Sequence, residues 1–391
     1  MKKVVITSAK RTAIGSFNGI LSNFSSAELG SQVIKAILNE SQINLNEIDE
    51  VIMGNVLAAG IGQAPARQSA IFAGLPEKVE CLTINKMCGS GLKAVMLAHQ
   101  AILTGDANVV IAGGQESMTN APYLLKKARN GYRLGHSELY DSMILDGLWD
   151  VYNNIHMGNC AEKCAKDFAM TREEVDNFAI QSYKKAQYSI ENGKFKDEIS
   201  PIKLELKGKE QLIDTDEEPS KVIFEKIPTL KPVFDKNGIV TAANASKIND
   251  GAAALLVMSE EKAKELGLKP LVEIVAQSSA AKLPIDFTTA PADAIQKVLK
   301  KANLKISDID LFEINEAFAV VSVAVNKLLN LDPEKVNVNG GAIALGHPIG
   351  ASGARILTTL IYEMKRKNSE FGVASLCIGG GEASAVIVKN I

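Results

Sequence analysis

The sequence predicts an α/β fold made of two similar halves, with a loop domain inserted into the first half. Three observations carry this prediction. Strand-like apolar runs alternate with amphipathic helical stretches, short blocks of sequence recur in the same order, and the first of the two halves is interrupted by a long charged segment. The chain of 391 residues is also longer than one hydrophobic core usually serves, so at least two packed units are expected.

An internal repeat predicts the two halves. Each copy begins with a helix-like stretch that is followed by an acidic turn and an apolar strand. Three pairs of segments recur in chain order: 46–54 with 307–315, 89–91 with 351–353, and 109–117 with 375–383. Each half is therefore predicted to be built around a mostly parallel sheet.

The two halves differ in where their final strand begins. In the second half, residues 379–383 run directly into a strand at 384–388, whereas the equivalent strand of the first half, 252–257, follows only after a long stretch rich in charge and turn residues. The predicted units are 1–118 with 249–268, an inserted loop domain at 119–248, and 269–391. A lobe inserted beside the end of a sheet is well placed to hold the long part of a substrate.

Charge and composition exclude several classes of protein. The net charge of -2 and the pI of about 6.2 provide no field that attracts nucleic acid or an anionic membrane, so small molecules or copies of the same chain are the expected partners. No apolar run approaches the roughly 20 residues that span a bilayer. The apolar stretch 4–9 is too short for a secretion signal, which predicts a cytosolic protein. An odd number of cysteines, five, argues against a disulfide framework.

Cys88 is the first candidate catalytic residue. A strand-like run, 81–84, turns through glycines into a helix-like stretch, so the thiol is expected near a helix N-terminus, where unpaired N–H groups and the helix dipole favour the thiolate. A small buried residue at a tight turn is the alternative. The partial dinucleotide fingerprint Gly89-x-Gly91-x-x-Ala94 lies in the same block, but a cysteine would crowd the pyrophosphate and the next strand lacks a terminal acidic residue.

Three further candidates lie in the second half. His347 is surrounded by glycines, Cys377 lies near the end of a strand that opens into a flexible turn, and Asn315 ends an apolar strand. A structural histidine, a buried thiol and a helix cap are the respective alternatives. With Cys88, these residues lie at strand ends or in the turns that follow, where open α/β sheets usually place their sites. Two thiols, an imidazole and an amide suit acyl transfer.

A metal site is a less favoured interpretation of a second cluster. His156, Cys160 and Cys164 are spaced by four residues and could share one face of a helix. No fourth ligand is evident, and a helix that packs small thiols inward explains the spacing equally well. No bound metal is therefore predicted.

These blocks resemble the thiolase family, and the likeness covers nearly the whole chain. Four blocks carry it: the cysteine block around Cys88, Asn315-Glu-Ala-Phe318, the glycine block around His347, and Cys377-Ile-Gly-Gly-Gly381. Their order and spacing are highly specific. The family fold, two similar α/β halves with a loop domain inserted in the first, agrees with the repeat.

The resemblance implies a role for each candidate. Cys88 would accept the acyl group from the first acyl-CoA, and His347 would help to activate its thiol. Cys377 would then remove a proton from the methyl carbon of a second acetyl-CoA. One oxyanion site would consist of His347 and a water held by Asn315, and the other of the backbone N–H groups of Cys88 and Gly379. Because this mechanism brings both sulfurs to the same substrate carbons, Cys88 and Cys377 are predicted to form a reversible disulfide under oxidation.

The resemblance also implies contacts to coenzyme A. Ser246 resembles the family serine that contacts the pantetheine arm, and His156-Met157 resemble the stretch that lines the acyl pocket in the acetoacetyl-CoA type, which favours a short substrate. Three positions depart from the family pattern: Lys247 where glycine is common, Ser220 where an arginine often meets the nucleotide, and Phe287-Thr288 where Met-Gly is frequent. These departures bear on coenzyme A affinity and acyl-chain length, and not on the chemistry.

The activity implied by the resemblance is the reversible condensation of two acetyl-CoA molecules to acetoacetyl-CoA and CoA. The substrates would be CoA thioesters, no cofactor would be permanently bound, and the chain would form a homo-oligomer, either a dimer or a tetramer. A longer-chain 3-ketoacyl-CoA thiolase is the alternative within the family. A nucleotide-dependent oxidoreductase and a non-enzymatic thiol-bearing scaffold are the alternatives from other classes.

Overall fold

The structure, a computed structural model, describes residues 2–206 and 208–391. Strands and helices alternate through most of the chain. The strands are β1 Val4–Arg11, β2 Gly15–Ser16, β3 Glu50–Gly54, β4 Glu80–Ile84, β5 Val109–Ser117, β6 Tyr123–Leu124, β7 Tyr140–Asp141, β8 Trp149–Asp150, β9 Ile155–His156, β10 Ile202–Leu206, β11 Lys209–Ile213, β12 Asn249–Ser259, β13 Val272–Ala281, β14 Leu311–Ile314, β15 Phe371–Ile378 and β16 Glu382–Asn390. The α-helices are α1 Ser26–Ser41, α2 Pro65–Phe72, α3 Ser90–Thr104, α4 Met157–Asp167, α5 Arg172–Glu191, α6 Glu260–Glu265, α7 Ala290–Ala302, α8 Ala319–Leu329, α9 Ala342–Leu345 and α10 Ser352–Lys367.

The large sheet shows the repeat directly. Its first half has the strand order β4-β3-β5-β12-β1, and its second half has the order β14-β15-β16-β13, which matches β3-β5-β12-β1 strand for strand. The two halves join where β1 pairs with β13. At the position of β4, the second half has a single parallel bridge between Phe312 and Val336.

The prediction of a mostly parallel sheet in each half is wrong, because both halves are mixed. β3 runs parallel to β4 and β5, and β14 runs parallel to β15. In contrast, β12 is antiparallel to β5 and β1, and β16 is antiparallel to β15 and β13. The turn at 379–381 joins β15 directly to β16, and such a short connection can only reverse the direction of the chain.

Helices α3 and α10 pack against each other between the halves. They begin at equivalent positions of the repeat and meet at Gly91 and Gly353. A Cβ on Gly91 would lie 2.8 Å from the Ala354 nitrogen, and a Cβ on Gly353 would lie 2.4 Å from the Leu92 nitrogen. Only glycine permits this approach, which brings the N-termini of the two helices together.

Residues between β5 and β12 form the elements from β6 to β11, with α4 and α5. The end of this stretch contacts the second half of the chain. The Ser246 N–H donates to the Ala317 carbonyl at 3.0 Å, and the Ala319 N–H donates to the Asn244 carbonyl at 2.8 Å. This backbone pairing fixes the segment beside the loop that follows β14. The domain boundaries at 119 and 248 stay a prediction.

The core lies on both faces of the large sheet. β5 and β12 are buried along their whole length, because α1 covers one face and α3 with α10 covers the other. Within 2–206 and 208–391, no helix has both the length and the apolar character needed to cross a membrane.

Candidate active site

The sequence-predicted residues gather around one enclosed pocket of about 200 Å³. It lies where the N-terminus of α3, the loop before α10 and the end of the 119–248 stretch meet. Six of the predicted residues line it: Cys88, His156, Met157, Ser246, His347 and Gly379. Asn315 and Cys377 lie outside the lining, as buried side chains. The structure therefore brings together residues that are far apart in the chain.

A strained turn presents Cys88. Met87, the preceding residue, has φ 47, a left-handed conformation that side chains other than glycine rarely adopt. Ser90 braces the turn, because its hydroxyl donates to the Met87 carbonyl at 2.7 Å and accepts from the Lys86 N–H at 2.8 Å. A Cβ on Gly89 would lie 2.3 Å from Ile378 Cδ1.

The thiol of Cys88 is uncharged in this pocket. Burial raises its pKa to about 11, and the backbone N–H groups of Gly379 and of Cys88 itself, which donate to the sulfur, only partly oppose this rise. The N–H donors lower the pKa in the expected direction, but desolvation outweighs them, so the thiol and not the thiolate is the favoured form. The same two N–H groups are the predicted oxyanion donors, and they face the reacting sulfur.

The backbone around His347 fixes the direction of its imidazole. Gly346 has φ 112, and a Cβ there would lie 2.5 Å from Asn249 Cγ, while Asn249 Oδ1 accepts from the His347 N–H at 2.9 Å. Nδ1 lies 2.6 Å from Ser352 Oγ, and this hydroxyl donates to the Pro348 carbonyl at 2.8 Å. Because a hydroxyl has one proton, Nδ1 must donate to Ser352, and Nε2 is the unprotonated nitrogen. Nε2 is buried and has no partner within the described residues.

Burial and the nearby Arg355 keep this imidazole neutral, since they lower the pKa of His347 to about 3. Asn315 Nδ2 lies 3.5 Å from Nδ1. This contact is not a hydrogen bond when Nδ1 carries the proton, since both groups are then donors. The amide of Asn315 is thus free to bind another group beside the ring.

Cys377 lies near the end of β15, where it pairs with Ala383 of β16. Burial raises the pKa of its thiol well above the ordinary value, and the nearby Cys88 adds to the rise. Both cysteines are free thiols. The site therefore contains two protonated sulfurs and one neutral imidazole.

Glu116 is a site residue to which the sequence analysis assigned no role. Its carboxylate accepts from Val56 and Leu57 N–H in the first half and from Gly350 N–H in the histidine loop, at 2.9 to 3.1 Å. The amide of Asn55 also donates to it, at 2.8 Å. Glu116 thus ties the loop that follows β3 to the loop that contains His347. An acidic residue at the end of an otherwise apolar strand was the signal in the sequence.

A buried charge network behind Asn315 was also missed. Arg355 and Glu313 are both almost completely buried, 4.0 Å apart. Burial raises the pKa of Glu313 to about 8. Farther away, Arg11 forms buried ion pairs with Glu198 at 2.6 Å and Asp216 at 2.7 Å. Charged residues inside apolar runs were the available signal.

The candidate metal ligands have other functions in the fold. His156 caps α4, since its Nδ1 accepts from the Gly158 N–H at 3.0 Å, and its ring stacks on Phe234 with centroids 4.7 Å apart. Cys160 and Cys164 are buried in the packing of α4. No group of three metal-ligating side chains occurs within 2–206 and 208–391.

Lys247 connects the enclosed pocket to a second one. It lines both, and the second, of about 230 Å³, is also lined by Lys221 and Lys226. The Lys247 ammonium donates to the carbonyls of Ala242 and Ala245, and burial lowers its pKa to about 8. Of the other two departures, Phe287 lines the first pocket, whereas Ser220 is exposed and lines neither.

The glycine fingerprint in the cysteine block has a packing role. Gly89 and Gly91 lie against Ile378 and Ala354, too close to admit a pyrophosphate. The interpretation as a dinucleotide-binding site is therefore wrong.

Comparison with known families agrees with this geometry. Residues 4–261 match the model of the thiolase N-terminal domain, and residues 268–390 match that of the thiolase C-terminal domain. The chain belongs to the thiolase family. The predicted family and fold class are confirmed.

Relatives of this thiolase align with it from end to end. An acetyl-CoA acetyltransferase from Cupriavidus necator is 53% identical, with all of both chains covered. A mitochondrial acetyl-CoA acetyltransferase from Bos taurus is 50% identical and covers all of this chain and 92% of its own. Among solved structures, the acetyl-CoA acetyltransferase of Bacillus anthracis has a TM-score of 0.97 and 45% identity, covering 100% of this chain and 99% of its own. A thiolase from Ascaris suum in complex with coenzyme A has a TM-score of 0.95 and 45% identity, with both chains fully covered.

Proposed function

We propose that this thiolase is an acetyl-CoA acetyltransferase that reversibly condenses two acetyl-CoA molecules to acetoacetyl-CoA and CoA. One observation carries the proposal: a single pocket contains the Cys88 thiol with two N–H groups aimed at its sulfur, and the unpartnered Nε2 of His347. A nucleophile, a base and preformed donors are the parts that acyl transfer needs. The full-length relatives from Cupriavidus necator and Bos taurus are both named acetyl-CoA acetyltransferases.

The first step acetylates Cys88. Nε2 of His347 takes the thiol proton as the sulfur attacks the carbonyl of acetyl-CoA, and the carbon–sulfur bond to CoA breaks. Both groups are neutral before the reaction, so the ion pair forms only as the proton moves from sulfur to Nε2. The N–H groups of Cys88 and Gly379 would stabilise the oxyanion, and each such donor is worth on the order of a hundredfold in rate.

Cys377 transfers one proton in each step of the reaction. Its raised pKa means that it begins as a thiol, so it donates its proton to the departing CoA sulfur and becomes a thiolate. This thiolate removes a methyl proton from the second acetyl-CoA, and the resulting carbanion attacks the acetyl group on Cys88. Cys88 then leaves as a thiolate and recovers its proton from His347. A water held by the free amide of Asn315, together with His347, would stabilise the enolate oxygen.

A short acyl chain fits the pocket better than a long one. The pocket encloses only about 200 Å³ and is closed by aromatic side chains, among them Phe234, Phe287 and Phe318. Two of the rings, Phe287 and Phe318, pack edge to face, with their centroids 6.5 Å apart. A longer 3-ketoacyl chain would have to displace them.

Coenzyme A would extend from this pocket past Ser246 and Lys247 into the second one. His156 and Met157 would contact the acyl end of the thioester. The three lysines around the second pocket, Lys221, Lys226 and Lys247, supply positive charge for the phosphates. CoA thioesters are thus proposed as substrates, without a permanently bound cofactor.

We also propose a homo-oligomer, a dimer or a tetramer, formed in the cytosol. β4 is the edge strand of the large sheet and exposes Leu82, and the preceding α2 exposes Ile71 and Phe72. An uncovered apolar edge strand favours pairing with another strand, here from a second copy.

Mass spectrometry after a single turnover tests the function. Incubation with acetyl-CoA should place an acetyl group on Cys88, and Cys88→Ser should abolish the adduct and turnover. Cys377→Ala should form the adduct more slowly, because the CoA sulfur then leaves without its acid, and should form no acetoacetyl-CoA. Cys81→Ser is the matched control, since this half-buried thiol does not line the pocket. Near-normal turnover of Cys88→Ser would contradict the proposal. Faster cleavage of long than of four-carbon ketoacyl-CoA would favour the longer-chain alternative.

A further inference from the structure

Another cavity, larger than the catalytic pocket and the Lys247 pocket, lies along the open edge of β13. β1 pairs with this strand only at Val272 and Glu273, so the edge at 277–279 is uncovered by any strand within the described residues. The cavity, of about 650 Å³, opens between this edge, α3 and α7. Its lining shares no residue with the pockets of Cys88 and Lys247.

Four lysines surround this cavity: Lys93 from α3, and Lys297, Lys300 and Lys301 from α7. Among the described lining residues there is no carboxylate. Two of the ammonium groups hold the strand edge, since Lys297 donates to the Ser279 carbonyl at 3.0 Å and Lys301 to the Gln277 carbonyl at 3.3 Å. Four positive charges around one cavity, in a chain whose net charge is -2, form a local site for anions.

Gln277 provides a fixed hydrogen-bond acceptor in the lining. Its side chain is only 5% exposed, and Nε2 donates to the Met96 carbonyl at 2.9 Å and to Nδ1 of His99 at 2.7 Å. Both amide protons are therefore committed. Oε1 accepts from Gln100 Nε2 at 3.5 Å, and its second lone pair is an oriented acceptor. His99 can accept because it is neutral: burial lowers its pKa to about 4.

We propose that this cavity binds a small phosphorylated metabolite, a nucleoside phosphate or a sugar phosphate, at a site separate from the catalytic pocket. The lysines would bind the phosphate oxygens through charge-assisted hydrogen bonds. Oε1 of Gln277 accepts from Gln100 at 3.5 Å and keeps a second lone pair, which can accept from a hydroxyl or amino group of the ligand but not from a phosphate without a proton. The volume falls within the range of small-molecule sites.

Calorimetric titration of the full-length protein tests this site, and Lys247→Gln separates it from the coenzyme A pocket. The probes are ATP, ribose 5-phosphate and inorganic triphosphate, which carries the charge without a donor. ATP or ribose 5-phosphate should bind to Lys247→Gln as to the unaltered protein, and which of the two binds more tightly identifies the nucleoside or the sugar phosphate as the source. Lys297→Gln combined with Lys300→Gln should weaken binding about tenfold or more.

Two further variants separate the contribution of the lysine charges from that of the Gln277 acceptor. Lys264→Gln removes an exposed charge from the last turn of α6, as Lys300→Gln does from α7, and should leave binding unchanged. Gln277→Leu should weaken ATP or ribose 5-phosphate but not triphosphate. Condensation activity should be unchanged in the double lysine variant, which shows that it is folded. The proposal is overturned by an absence of binding up to about 1 mM, by a loss of binding in Lys247→Gln as large as in the double variant, or by equal losses in the Lys264 control and the double variant.

Discussion

Ser352 Oγ lies 2.6 Å from Nδ1 of His347 and donates its own proton to the Pro348 carbonyl. The lone pair of this imidazole is therefore on Nε2, and His347 lines the pocket that contains Cys88. Ser352 begins α10 as Ser90 begins α3, where Ser90 braces the Cys88 turn. The two equivalent serines of the repeat thus each support one of the two reacting groups.

Ser352→Ala should lower kcat by up to about tenfold, because one hydrogen bond that fixes the tautomer and orientation of His347 is lost. Steady-state condensation kinetics measure this, and KM should change little. Ser322→Ala is the control, since that buried hydroxyl has no partner within the described residues. Equal losses in both variants would assign the effect to packing.

Alkylation of Cys88 by iodoacetamide should still accelerate at about pH 10, whereas a thiol with the ordinary pKa of about 8.5 reaches its plateau at about pH 9.5. The reason is that only the thiolate reacts, and burial raises the pKa of this thiol to about 11. Peptide mass spectrometry over a pH series gives the rate at this residue. A plateau below about pH 10 would contradict the prediction.

Glu313→Gln should make the stability of the fold less sensitive to pH. Burial raises the pKa of Glu313 to about 8, above the unfolded value of about 4.3, so the folded state retains a proton that the unfolded chain releases. The stabilising contribution is complete below about pH 4.3 and is lost as the pH rises through about 8. Urea unfolding should show a loss between about pH 6 and pH 9 that is smaller in the variant by roughly 1 to 3 kcal/mol. The exposed Glu191→Gln should retain the wild-type loss.

Lys247→Gln should weaken CoA binding at neutral pH and remove part of its pH dependence. Burial lowers the pKa of this amine to about 8, so its attraction for phosphate is present below that pH and is lost above it. Calorimetry at about pH 7 and pH 9 should show a decline in wild-type affinity that the variant lacks. The exposed Lys236→Gln serves as the control. Parallel declines in all three proteins would contradict a role for Lys247.

A reversible disulfide between Cys88 and Cys377 stays a prediction. Mild oxidant should inactivate the protein, reductant should restore it, and mass spectrometry should find the linked peptide. Cys377→Ser should prevent the linkage, with Cys81→Ser as the control. Irreversible inactivation without a linked peptide would count against this bond.

The sequence by itself determined the family, the repeat and the main candidate residues, because each depends on short segments whose pattern is local. The turn before α3, the glycines around His347 and the recurring strand ends can all be read within a few residues. The same locality explains the errors. Strand direction depends on which neighbours pair, so the antiparallel positions of β12 and β16 could not be read from apolar runs alone.

Only the tertiary structure decided the electrostatics of the site and its supporting residues. The pKa of Cys88 depends on how deeply the thiol is buried, and burial outweighs the nearby donors that the sequence reveals. Glu116 acquires its role because segments distant in the chain place N–H groups around one carboxylate. Local pattern specifies which groups react, whereas long-range packing sets their protonation and their direction, because desolvation and hydrogen bonding depend on neighbours that are distant in sequence.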